Sequence, residues 1–143
     1  MTIIQSDLMR IQAGNFGKVL LPSSLSGRVR LAHGMVKPAE PVPVGSRIEL
    51  VSLPKLARVL PTSQIHFEGG QSPDLVIKAG DRKKADRYLT NGVPGVDGIS
   101  IALDGNKLED YTLADESVLF LTNLQAELAA NRRIVFDIFY VVD

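Results

Sequence analysis

The chain has 143 residues, 45% of them hydrophobic and 22% charged, the size and composition of one globular domain able to bury a core without covalent staples. Sixteen basic and 16 acidic residues leave no net charge, which argues against a dedicated nucleic-acid binder. Cysteine is absent, so disulfides and thiolate metal sites are excluded, and no apolar run approaches the roughly 18–20 residues of a membrane helix.

The N-terminus carries neither the basic region nor the apolar stretch of a secretory signal, and the lack of cysteine suits synthesis in a reducing cytoplasm. Ile4, Leu8 and Ile11 fall at helical spacing, with Ser6 or Asp7 placed to cap a short turn. Gly14, Asn15 and Gly17 break that pattern, so residues 1–17 read as an N-terminal arm or docking segment and residues 18–143 as a single β-sandwich domain. So short an apolar segment must dock, either on its own domain or on a neighbouring subunit.

Residues 18–27 hold an apolar triplet and two turns. Residues 28–36 alternate, with Val29 and Leu31 on one face and Arg28 and Arg30 on the other. Three prolines within residues 37–43 predict an extended connection or rigid surface loop. Residues 44–67 organise the chain: Ile48 and Leu50 alternate with Arg47 and Glu49, Pro54 forces a break, residues 57–60 resume the apolar run, and Ile65 and Phe67 alternate again. Gly69 and Gly70 mark a turn, after which Leu75 and Ile77 point inward. Residues 80–94 are the most polar stretch, and Asp81, Arg82, Lys83 and Lys84 read as a solvated loop. Residues 85–89 read as one helical turn with Tyr88 and Leu89 folded onto a sheet edge. Residues 98–103 form another strand, Asp104-Gly105 a turn, and residues 107–112 a short restart. Residues 117–122 are nearly all apolar, as in a strand covered on both faces. Residues 125–131 read as a helical turn or hairpin loop. In residues 134–142, Ile134, Phe136, Ile138 and Tyr140 share one face, and Asp137 is the one polar residue on the other. About eight strands with short links and no long helix predict an all-β fold: an antiparallel β-sandwich, jelly-roll-like, or a small barrel.

The chemistry of catalysis is sparse. With no Cys and no G-x-S-x-G, the bases are His33 and His66, each read as a hydrogen-bonded surface residue. Two isolated histidines make a poor metal site, and DGNKLED at residues 104–110 departs from the EF-hand template. No glycine-rich stretch matches a phosphate loop, and no carboxylate pair is marked for glycoside hydrolysis. No catalytic, cofactor-binding or metal residue is therefore assigned, and the chain is read as no enzyme. Residues 117–122 and 134–142 are apolar on both faces: one face packs in the core, and the other is covered by loops, by the N-terminal segment or by another subunit, which favours an oligomer, most simply a ring of cyclic symmetry.

Several short stretches, in this order, resemble small virion structural proteins of tailed bacteriophages: SLPKLARVL at residues 52–60, IKAGD at 77–81, ADRYL at 85–89, YTL at 111–113 ahead of SVLFLT at 117–122, and the closing FDIFYVVD at 136–143. The resemblance spans residues 36–143 and implies a β-sandwich capsid decoration (cement) protein. Such a protein is made in the bacterial host cytoplasm and carried on the virion surface. Its partners would be itself, as a homotrimer, and the major capsid protein, with no nucleic acid, membrane or cofactor. Ile3, Ile4, Leu8 and Ile11 would be the arm's partner-binding anchors. Another particle component, such as a tail protein, a head–tail connector or a receptor-binding module, is the alternative.

Overall fold

The computed structural model describes residues 3–12, 29–103 and 112–142, the side chains of residues 10–12 excepted. Ten strands and one six-residue helix lie among the described residues, arranged as two five-stranded sheets. The first sheet runs β1 (Ile3–Gln5), β3 (Arg47–Leu53), β9 (Ser117–Leu124), β6 (Val76–Gly80), β7 (Leu89–Gly92) in spatial order. The second runs β2 (Arg30–Val36), β10 (Ile134–Val142), β5 (Gln64–Phe67), β8 (Ile99–Ala102), with β4 (Ala57–Val59) beside the C-terminal half of β10. β1 pairs with β3 in parallel, and every other pairing between these strands is antiparallel.

Ten strands rather than about eight follow from two local features. Pro54 removes a donor and ends β3, and Leu56 takes a positive φ of 70°, so the chain turns before β4 begins. Leu60 then ends β4 against the Phe139 carbonyl, and Ser63 starts the approach to β5. The other addition is β1, whose three residues gain strand geometry from β3 alone.

The facing sides of the sheets make the core. Ile48, Val51, Leu53, Leu119, Leu121 and Ile77 on the first meet Ile65, Phe67, Ile134, Phe136 and Ile138 on the second. Burying each such side chain is worth about 1.5–3 kcal/mol. The period-two pattern of the sequence survives in β5, β6 and β10. It slips in β3, where Leu50 is an extra residue between the pairs Glu49–Phe120 and Val51–Leu119. The apolar series therefore runs Ile48, then Val51 and Leu53. Strand β9 is buried from Val118 to Leu121, as its composition predicts, with the Arg47 guanidinium 4.0 Å from the centre of the outward-facing Phe120 ring.

Strand β2 departs from its expected orientation. Ala32, Gly34 and Val36 are the inward residues, while Val29, Leu31 and Met35 are exposed. The reason lies opposite: the Phe136 ring fills the space over Gly34, and a side chain there would meet it at 2.6 Å.

The proline-rich loop is pinned rather than loose. Val42 exchanges backbone hydrogen bonds with Leu128. Buried Asn123 donates from Nδ2 to the Val42 and Pro43 carbonyls at 3.1 and 3.0 Å and accepts from the Ser46 amide at 3.1 Å. Residues 125–131 form a loop, with Gln125 and Asn131 at positive φ.

Candidate interaction surface

The stretches that carry the family resemblance build two corners of the fold. Leu56 donates its amide to the Leu113 carbonyl, and Leu113 donates to Ala57, so SLPKLARVL and Leu113 close one corner beneath the end of β10, while Tyr111 lies outside the described residues. IKAGD and ADRYL close the other. Asp81 is buried, not solvated as its sequence neighbours implied. Its carboxylate accepts the Lys83 and Lys84 amides at 3.0 and 2.9 Å and the Arg87 Nε–H at 2.6 Å. A Cβ at Gly80 would run into the Ala85 backbone, so the motif requires glycine there. Residues 85–88 form this turn rather than a helix, with Tyr88 buried and Leu89 opening β7.

The N-terminal segment lies along one edge of both sheets, with β1 beside β3 and helix α1 (Asp7–Gln12) against β3 and β2. Helix α1 is capped by Ser6, whose Oγ accepts the Met9 amide at 2.9 Å and donates to the Leu50 carbonyl freed by the bulge. The Ser6 amide donates to Glu49, and Gln5 Nε2 donates to the Glu49 carboxylate at 3.1 Å. Asp7 accepts the Met35 amide at 2.9 Å on the edge of β2. Of the predicted anchors, Ile4 and Leu8 are half-buried against the core and Ile3 is 52% exposed. Ile11 belongs to α1, and its side chain lies outside the described set. The DGNKLED stretch and residues 18–27 also lie outside the described residues.

The outward side of the second sheet carries a polar chain set in an apolar surround. Across β2 and β10, Leu31 faces Phe139, His33 faces Asp137 and Met35 faces Val135. His33 Nδ1 lies 2.5 Å from Asp137 Oδ1, and His66 Nε2 lies 3.0 Å from Oδ2. His66 Nδ1 in turn lies 2.5 Å from Ser100 Oγ on β8. The hydrogen bond from His33, reinforced by that from His66 and opposed by partial desolvation, holds the Asp137 carboxyl below its usual range. Along the same face Glu68 accepts the Arg133 amide at 2.8 Å, which lowers its carboxyl also.

Sequence reasoning placed both histidines on the surface but did not bring them together, because residues 33, 66 and 137 meet only once strand pairing fixes the register. The available signal was Asp137 itself, a lone carboxylate within an apolar strand. Ser100, His66 and Asp137 follow the order of nucleophile, base and orienting acid. They lie on an open strand face beside a shallow depression lined by His66, Phe67, Glu68, Arg133 and Val135, not in a cleft. A cleft lined by residues 81–83 and 113–117 holds about 120 Å³, while hollows of about 370 Å³ along the proline-rich loop and about 330 Å³ beside His66 are larger and more open to the surface. Among the described residues no group of three or more His, Asp or Glu is placed to hold a metal ion, and no helix is long and apolar enough to cross a membrane.

No protein-family model matches the chain, and no curated protein does. Solved structures share its fold. A chain in the capsid of Ralstonia phage GP4 superimposes with a TM-score of 0.74 at 19% identity, covering 99% of both chains. A chain of the cyanophage Pam1 capsid asymmetric unit gives 0.62 at 14% identity, over 90% of this chain and 96% of that one. A chain of the acidic stable capsid structure of Helicobacter pylori bacteriophage KHP30 gives 0.50 at 18% identity, over 78% and 86%.

Proposed function

We propose that this protein is a bacteriophage capsid decoration, or cement, protein that binds the outer surface of the head and ties neighbouring major capsid subunits together. One observation carries the reading: the fold match to a phage capsid chain covers 99% of both partners, so that capsid chain is close to this one in length. A chain of this fold and length is thus present in a phage capsid there, and the role of a small capsid protein is the one this chain fits. In this reading the role is structural rather than enzymatic.

The strand order supports a jelly-roll description. With β1 set aside and β4 and β5 taken as halves of one strand, eight strands remain, ordered β3-β9-β6-β7 and β2-β10-(β4, β5)-β8. A homotrimer is proposed at three-fold positions of the shell, where symmetry multiplies weak contacts into avidity. Val29, Leu31 and Met35 give the domain an exposed apolar strip suited to a protein contact. In the N-terminal arm, Ile4 and Leu8 set the segment's position and exposed Ile3 offers the partner contact, with Ile11 as a further anchor.

Two measurements test the proposal. Light scattering across protein and salt concentration should give a mass three times that of the 15.5 kDa chain. A larger ring would instead favour a head–tail connector. Purified protein should also co-sediment with phage heads assembled without it, and a chain lacking residues 1–12 should fold and fail to bind. Full binding by the truncated chain would remove the arm from the account.

A further inference from the structure

His33, Asp137, His66 and Ser100 come from four adjacent strands, β2, β10, β5 and β8, and are separated by as many as 104 positions in sequence. Their hydrogen bonds run across the whole width of the second sheet. A carboxylate only accepts hydrogen bonds, so the ring nitrogen facing each Asp137 oxygen must carry the proton. That fixes His33 as the Nδ1–H tautomer and neutral His66 as the Nε2–H tautomer. His66 Nδ1 is then an acceptor, and the Ser100 hydroxyl donates to it.

Protonation leaves every link in place. An imidazolium donates from both nitrogens, so His33 and His66 still donate to Asp137. Ser100 meets the change by rotating its hydroxyl from donor to acceptor. The second nitrogen of His33 is at the surface, its side chain being 61% exposed, so water can receive its proton. We propose that these four side chains form an acid-tolerant clasp, which keeps the second sheet in register as pH falls because its hydrogen bonds are made in both charge states of the histidines.

The other charged groups near this face do not replace Asp137. Arg58 lies opposite Val141 on β4, and Arg133 precedes β10. Glu68, after β5, is engaged by the Arg133 amide and faces Arg132 at 4.0 Å. Arg30 opens β2 opposite Tyr140, Lys37 follows β2, and the Asp7 carboxylate of α1 is engaged by the Met35 amide. No charged residue lies on β8. Asp137 alone stands between the two rings.

The proposal makes Asp137→Asn a pH-dependent lesion. At pH 8 a neutral amide between two neutral rings finds partners by a change of tautomer. At pH 5 its one oxygen cannot serve two imidazolium donors, and nothing balances their charge. Thermal unfolding of the full chain should show the variant melting close to wild type at pH 8. The gap should widen by about 4 °C or more by pH 5. A gap that stays constant from pH 8 to pH 5 would overturn the clasp. A second measurement needs no variant: nitrogen NMR of the two rings at pH 8 should show opposite tautomers, Nδ1–H for His33 and Nε2–H for His66. The same tautomer in both rings would overturn the proposal equally.

Discussion

At Gly34 the absence of a side chain does two jobs. A Cβ there would stand 2.5 Å from the Asp7 carboxylate and 2.6 Å from the Phe136 ring. The first contact holds the helix against β2, and the second fills the centre of the core. Gly34→Ala should therefore destabilise the protein by about 1–3 kcal/mol through overpacking, read as a lower denaturant midpoint at unchanged slope. Asp137 makes a separate prediction in strong acid. Its carboxyl is held below the ordinary value of 3.8 in the folded chain by the His33 hydrogen bond first. A depressed carboxyl contributes stability that is present above 3.8 and lost as pH falls through the lower folded value. The stability difference between wild type and Asp137→Asn should thus close in strong acid, below the ordinary carboxylate range, in a pH series of chemical unfolding. A difference that persists there unchanged would show that Asp137 acts by shape and not by charge.

At the scale of elements, Ser6 joins the N-terminal segment to the β3 bulge. It caps α1 through Met9 and satisfies the Leu50 carbonyl, which has no partner residue on β9. Ser6→Ala leaves that buried carbonyl and the Met9 amide without their partner. A loss of about 1–3 kcal/mol is expected, with faster hydrogen exchange over residues 3–12 than over β10. Uniform exchange across both segments would contradict the coupling. Strands whose inward residues alternate strictly, such as β5 and β10, were legible in the sequence, and so was the break at Pro54. The capped helical turn at residues 7–12 was legible too, since Ser6 precedes an apolar helical spacing. The bulge at Leu50 hid the phase of β3, because two patterns of period two are spliced there. Strand β1 left no trace, since three residues in a parallel pairing have no local signature. Asp81 misled for a related reason: a carboxylate among Arg82, Lys83 and Lys84 looks solvated until the turn folds their amides onto it. The His33–Asp137–His66 cluster was invisible because a strand register, not a sequence spacing, assembles it.

For the whole molecule, the two sheets explain stability and leave function to the surfaces. The core accounts for nearly every long apolar side chain of β5, β6, β9 and β10. Of the apolar residues that it does not absorb, Ile3, Val29, Leu31 and Met35 lie around the β1 and β2 edges where α1 is also seated, while Leu56, Val93, Val96 and Ile99 are exposed elsewhere. In the proposed cement role such a surface would be used many times over, so modest contacts would suffice once symmetry repeats them. The most direct test is the copy number of this chain in purified virions, measured by quantitative mass spectrometry against the major capsid protein. Trimers filling the three-fold and quasi-three-fold positions predict about one copy for each major capsid subunit. A copy number matching a single ring, or absence from the virion, would contradict the decoration role.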